Sequence, residues 1–111
     1  MVRAVFNSMF TSKIENPTFA QGILDLRRKY EDELDRISDY QSNKFISTAH
    51  ALESFEIATE KYNMLFNQLW KTLDFKEQVR IMSTWKEFID LAEQGLIYST
   101  PEMLSAARIM K

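Results

Sequence analysis

The chain contains no cysteine. Disulfides, thiolate metal sites and a cysteine nucleophile are therefore excluded. The composition fits a reducing compartment, with the cytoplasm expected and an organelle as the alternative. Glycine and proline number only two each in 111 residues. Sheets and looped folds need far more of both for their turns, so the chain must be built from few, long elements. Two glycines also leave no room for a glycine-rich phosphate loop, and no strand-turn-helix nucleophile elbow is present. No apolar run approaches the roughly 20 residues needed to span a bilayer. An excess of one charge is missing too: 14 basic residues face 16 acidic ones, for a net charge of −2. A nucleic-acid binder normally shows a basic surplus. The one basic trio, Arg27-Arg28-Lys29, is bracketed by Asp25 and Glu31-Asp32-Glu33, which cancel its field within a Debye length of about 8–10 Å.

What is present is helical periodicity. Phe45, Ala49, Leu52, Phe55, Thr59, Tyr62, Phe66, Leu69 and Leu73 recur at steps of three and four over Lys44–Leu73, with no Gly or Pro between them. That spacing is a helical stripe and not a strand alternation. A second stripe runs through Phe19, Ile23, Leu26, Tyr30, Leu34 and Ile37. It starts at Asn16-Pro17, an N-cap followed by proline at the first helical position. Its other face is dense in opposite charges four residues apart, such as Arg27/Glu31 and Lys29/Glu33, which describe a solvated surface. Gly22 permits a close helix crossing. Ser38–Asn43 is the least apolar stretch and the expected turn; without a turn there, residues 18–73 would be one continuous rod.

Asp74-Phe75-Lys76-Glu77 reads as a capping box. It opens a helix with Val79, Met82, Trp85 and Ile89 on one side and Ile81, Phe88 and Leu91 widening the apolar face. Gly95 is placed as its left-handed stop, and Thr100-Pro101 starts a last short helix. At the other end, Val2, Val5, Phe6, Met9 and Phe10 have the spacing of a short amphipathic helix. That segment can cap the bundle, lie on a membrane surface or act as a targeting leader. The expected fold is all-α, in one domain over residues 1–111. It is a three- to four-helix bundle organised around a long antiparallel hairpin (residues 17–41 and 44–73). Helices over 75–94 and 101–110 and the N-terminal amphipathic segment, residues 2–14, complete it.

Chemistry is sparsely represented. His50, the only histidine, is followed by Glu53, Glu56 and Glu60 on one helix side. Di-metal bundles use a Glu-x-x-His motif on each of two helices; here one His precedes its glutamates and there is no second set. An exposed acidic face accounts for the pattern. No catalytic residue, metal or cofactor is expected, and the chain reads as a non-enzyme. Eight Phe, four Tyr, two Trp and six Met are the types enriched at interface cores. Ile46, Ile57, Met64 and Trp70 also lie off the main stripe of their helix. The expected function is therefore protein–protein binding, as an assembly subunit, adaptor or inhibitor, with another protein or a second copy as partner. Phe6, Met9, Phe10, Trp70 and Trp85 are the expected contact residues. A membrane or granule surface, reached through residues 2–14, is the alternative.

Overall fold

The computed structural model describes residues 4–8 and 14–109. These are 79% helical, well beyond the usual third, as the shortage of turn residues requires. Five α-helices follow a four-residue 3-10 turn, Val5–Ser8: α1 (Pro17–Ser42), α2 (Thr48–Trp70), α3 (Phe75–Thr84), α4 (Lys86–Glu93) and α5 (Pro101–Ile109). α1 and α2 form the expected antiparallel hairpin. The remaining elements pack on one side of its base.

Each helix boundary has a local cause. Asn16 starts α1, its Oδ1 accepting from the Phe19 N–H at 3.0 Å. The turn falls at 43–47, later than the expected 38–43, because α1 ends in a Schellman motif there. Phe45 N–H donates to the Tyr40 carbonyl and Lys44 N–H to that of Gln41. Lys44 occupies the left-handed position at φ 63, and the Phe45 ring rests edge-on against Tyr40, the apolar contact that accompanies such caps. Ser47 then caps α2 by accepting from the His50 N–H at 3.1 Å. Phe45 is thereby off the helix and 75% exposed, not the first member of a buried stripe.

The single helix expected over 75–94 is two, bent apart at Trp85 (φ −121, ψ 115). The hydroxyls of Ser83 and Thr84 both donate to the Arg80 carbonyl at 2.8 Å, a local competition that weakens a helix end. The bend resolves an apolar face too wide for one straight helix. Ile81 and Met82 point inward from α3, and Phe88, Ile89 and Leu91 from α4. α3 begins at Asp74, whose Oδ1 accepts from the Glu77 N–H at 2.8 Å. The Glu77 carboxylate accepts instead from Asn16 Nδ2 at 3.2 Å, joining the starts of α1 and α3. Gly95 ends α4 at φ 80, with Leu96 N–H donating to Leu91, as its sequence position required. Thr100 Oγ1 caps α5 by accepting from the Met103 N–H.

The core is a run of aromatic rings. Trp70 lies 5.5 Å from Phe88, 6.1 Å from Phe19 and 6.3 Å from Phe66, centroid to centroid. Phe66 leads on to Phe6, Phe6 to Tyr30 and Tyr30 to Tyr62. Trp70 and Phe6 have no exposed surface and Trp85 only 7%, so three of the five expected contact residues are core. Their size and apolarity place them where most area leaves water. Met9 and Phe10 lie outside the described residues. So does most of the expected 2–14 helix, of which residues 5–8 form the 3-10 turn. The Trp70 Nε1–H donates to the Tyr98 carbonyl at 2.8 Å, whereas buried Trp85 Nε1 has no acceptor among the described residues.

Two expectations follow. Replacing Trp70 by Phe removes ring volume and a made hydrogen bond, whereas replacing Trp85 by Phe removes ring volume and an unsatisfied donor. Chemical denaturation should find Trp70→Phe the more destabilising by about 2 kcal/mol; equal losses would show that the two indole N–H groups are equally satisfied. Lys44→Gly should raise stability by about 1 kcal/mol, since only glycine adopts the left-handed conformation without a Cβ penalty.

Candidate functional site

Sequence periodicity singles out one candidate ligand set, His50 and the glutamates that follow it. His50, Glu53, Glu56 and Glu60 are all exposed, and no three potential ligands among the described residues converge on a metal-sized site. No helix of the described residues is long and apolar enough to cross a membrane. The distinctive surface is the hairpin itself.

One face of the hairpin base carries the N-terminal segment and α3–α5. Ala4, Val5 and Phe6 are buried there. The Val5 N–H donates to Asn63 Oδ1 at 2.9 Å, and the Arg27 guanidinium donates to the Phe6 carbonyl through Nε at 3.1 Å and Nη2 at 2.6 Å. Arg27 was expected on the solvated face. Burial lowers its pKa, against the raising effect of Glu31. The apolar side chains of residues 4–6 are thus spent on the core rather than offered outward. A similar strap holds the linker after α4. Asn67 Nδ2 donates to the Leu96 carbonyl at 2.9 Å and its Oδ1 accepts from Tyr98 N–H at 2.7 Å.

No described residue covers the opposite face of the hairpin. A shallow groove between α1 and α2 runs along it, widening into three hollows. The base hollow, about 350 Å³, has Gly22 and Leu26 on one wall and Leu65 and Leu69 on the other. Gly22 is required there, because a Cβ would lie 2.6 Å from Leu69 Cδ2; this is the close crossing its sequence position suggested. The middle hollow, about 220 Å³, is charged: Lys29, Asp32, Glu33, Arg36 and Lys61 line it with Tyr62. The tip hollow, about 440 Å³, is apolar again, with Ile37, Tyr40, Ile46 and Ile57. The α1 residues 22, 26, 29, 33, 37 and 40 advance in steps of three and four, so all three hollows share one helical face.

Beyond Tyr30 no third layer lies on the hairpin among the described residues. Residues 31–42 of α1 contribute no buried side chain, and Leu52, at 51% exposure, continues the inward stripe of α2 past the end of the core. Ile57 at 59% and Met64 at 64% are exposed as their off-stripe positions imply. The missed signal for Leu52 and Phe45 was length. A 26-residue α1 is about 39 Å long, and helices of ten, eight and nine residues cannot cover it.

Charge on this arm is uneven. Residues 31–60 hold eight acidic against two basic side chains, whereas residues 14–30 and 61–73, the hairpin base, hold five basic against two acidic. In the middle of the groove Lys61 Nζ lies 3.5 Å from Glu33 Oε2 and 5.1 Å from the Tyr62 ring centre. Burial first, then its hydrogen bond to the Glu33 carboxylate, raises the Tyr62 pKa above the ordinary tyrosine value.

Comparison with known protein families, with curated proteins and with solved structures finds no match for this chain. What the fold and surface define is a class: a helical-hairpin bundle, closed on one face of its base and open on the other.

The Tyr62 shift sets an alkaline stability limit. With the folded pKa above the unfolded one, the contribution of the neutral phenol is complete below pH of about 10. It is lost as pH rises through the folded value, because the unfolded chain ionises first. Tyr62→Phe should therefore show a shallower fall in melting temperature above pH 10 than the parent chain. Superimposable alkaline limbs would refute the assignment.

Proposed function

We propose that this chain is a non-catalytic binding protein, a subunit or adaptor of a larger assembly, that works by docking its projecting hairpin. The cytoplasm is the compartment this reading favours, in keeping with a chain that has no cysteine. The observation that carries it is the exposure of bulky apolar side chains on an arm with a completed core behind it. Phe45, Leu52, Ile57 and Tyr40 are each close to half exposed or more, while Phe19, Phe66, Trp70 and Phe88 fill the interior. Single exposed apolar residues are common, but several on one projection mark a contact surface. The three hollows are shallow and open to solvent, which supports binding over catalysis, since a small-molecule active site normally encloses most of its ligand. Residues 2–14 as a membrane anchor have less support, because Val5 and Phe6 already face the core.

Phe45→Glu and Leu52→Glu test this reading. Both positions are exposed, so stability should stay within about 0.5 kcal/mol of the parent. A photoreactive residue placed at Ala49, exposed between Phe45 and Leu52 and outside the groove, should cross-link in the native cells to a different polypeptide, and either glutamate variant should abolish that product. Unchanged cross-linking in the variants, or none in the parent chain, would remove the hairpin tip as a binding surface.

A further inference from the structure

We infer that the open outer face of the hairpin is covered by the same face of a second copy, packed antiparallel to form a four-helix layer pair. This rests on the binding reading above and names the occupant of one of its surfaces. Along the groove the order is apolar at the base, charged in the middle and apolar at the tip. That sequence reads the same from either end, as an isologous two-fold contact requires.

The register can be worked out. Gly22 meets Leu69, Tyr30 meets Thr59 and Tyr62 and Glu33 meets Lys61, so on average residue 31 of α1 lies level with residues 60–61 of α2. A two-fold axis across the hairpin at that level sets α1 against α1 and α2 against α2. Lys29 then faces Glu33 of the second copy, twice over. Tyr40, 48% exposed, faces the base hollow that Gly22, Leu26 and Leu65 line. Ile57 faces Leu65. Lys61 falls next to the axis, where its own Glu33 at 3.5 Å offsets its charge.

Charge selects this orientation. An antiparallel pair sets each acidic tip, eight acidic against two basic, over a basic base, five basic against two acidic. A parallel pair would stack the two acidic tips, which like-charge repulsion opposes. Size agrees as well. With the axis at residues 31 and 61 the helices overlap over about 31 Å, and a face about 20 Å wide buries roughly 600 Å² per copy, about 1,200 Å² in all, the lower end of the range for a specific interface.

The absence of cysteine makes the test clean. Ser54 and Gln68 lie equally far on either side of Lys61, so each faces the other across the axis. The parent chain should sediment as a dimer. A mixture of Ser54→Cys and Gln68→Cys proteins should give a covalent dimer on oxidation or with a short bis-maleimide. Either variant alone should not, since its two copies of the thiol are about 21 Å apart. Ile57→Glu should raise the dimer dissociation constant roughly tenfold or more without changing the helical circular dichroism spectrum. A monomer at the highest attainable concentration, or a dimer cross-linked equally well by one variant alone, would overturn the inference. A chain that stays monomeric yet cross-links from Ala49 to a different polypeptide would overturn it while leaving the binding reading intact.

Discussion

Trp70 sits where every layer of the molecule meets. Its ring touches Phe19 of α1, Phe66 of its own helix and Phe88 of α4, and its Nε1–H holds the linker before α5 through the Tyr98 carbonyl. Gln78 of α3 closes the same end by donating to the Trp70 carbonyl at 3.1 Å. Truncating a buried aromatic of this kind costs about 3–5 kcal/mol, a large share of the stability of a domain this size. The position of the short helices on one side of the hairpin, and hence the identity of the face left open, follows from that one side chain.

The polar straps serve the same arrangement. Segments with little helical structure, residues 4–8 and 96–98, would leave buried backbone groups unsatisfied if nothing met them. Arg27, Asn63 and Asn67 supply the partners, and all three project from the two long helices. The hairpin is therefore both scaffold and hydrogen-bond template for the chain segments laid on its inner face. Its outer face has no such strap and no covering segment among the described residues, so within a single chain the groove with its charged middle is left open.

Much of this was legible in the residue pattern and some was not. Asn16-Pro17, Asp74, Gly95 and Thr100-Pro101 marked helix ends because capping is local chemistry, decided within four or five residues. The hairpin turn was placed a few residues early. Ser38–Ser42 are polar but compatible with a helix, and the stop depends on Lys44 accepting a left-handed conformation that its side chain does not advertise. The break at Trp85 was hidden for a related reason: Ser83 and Thr84 are weak helix formers, and only the need to bury both Met82 and Phe88 turns weakness into a bend. Arg27 was read as one more charge on a solvated face, since nothing in its helix announces that the Phe6 carbonyl will lie over it.

Taken alone, the sequence determined that the chain is helical, where most helices begin and end, and that catalytic motifs, disulfides and membrane-spanning runs are missing. Those features depend on single residues and short spacings. Which apolar residues are core and which are surface was decided only by tertiary structure. Trp70 and Leu52 both belong to apolar ridges on one helix, yet one is enclosed and the other is half exposed. Burial is set by what packs above a residue, and three short helices reach only the base of a hairpin about 39 Å long.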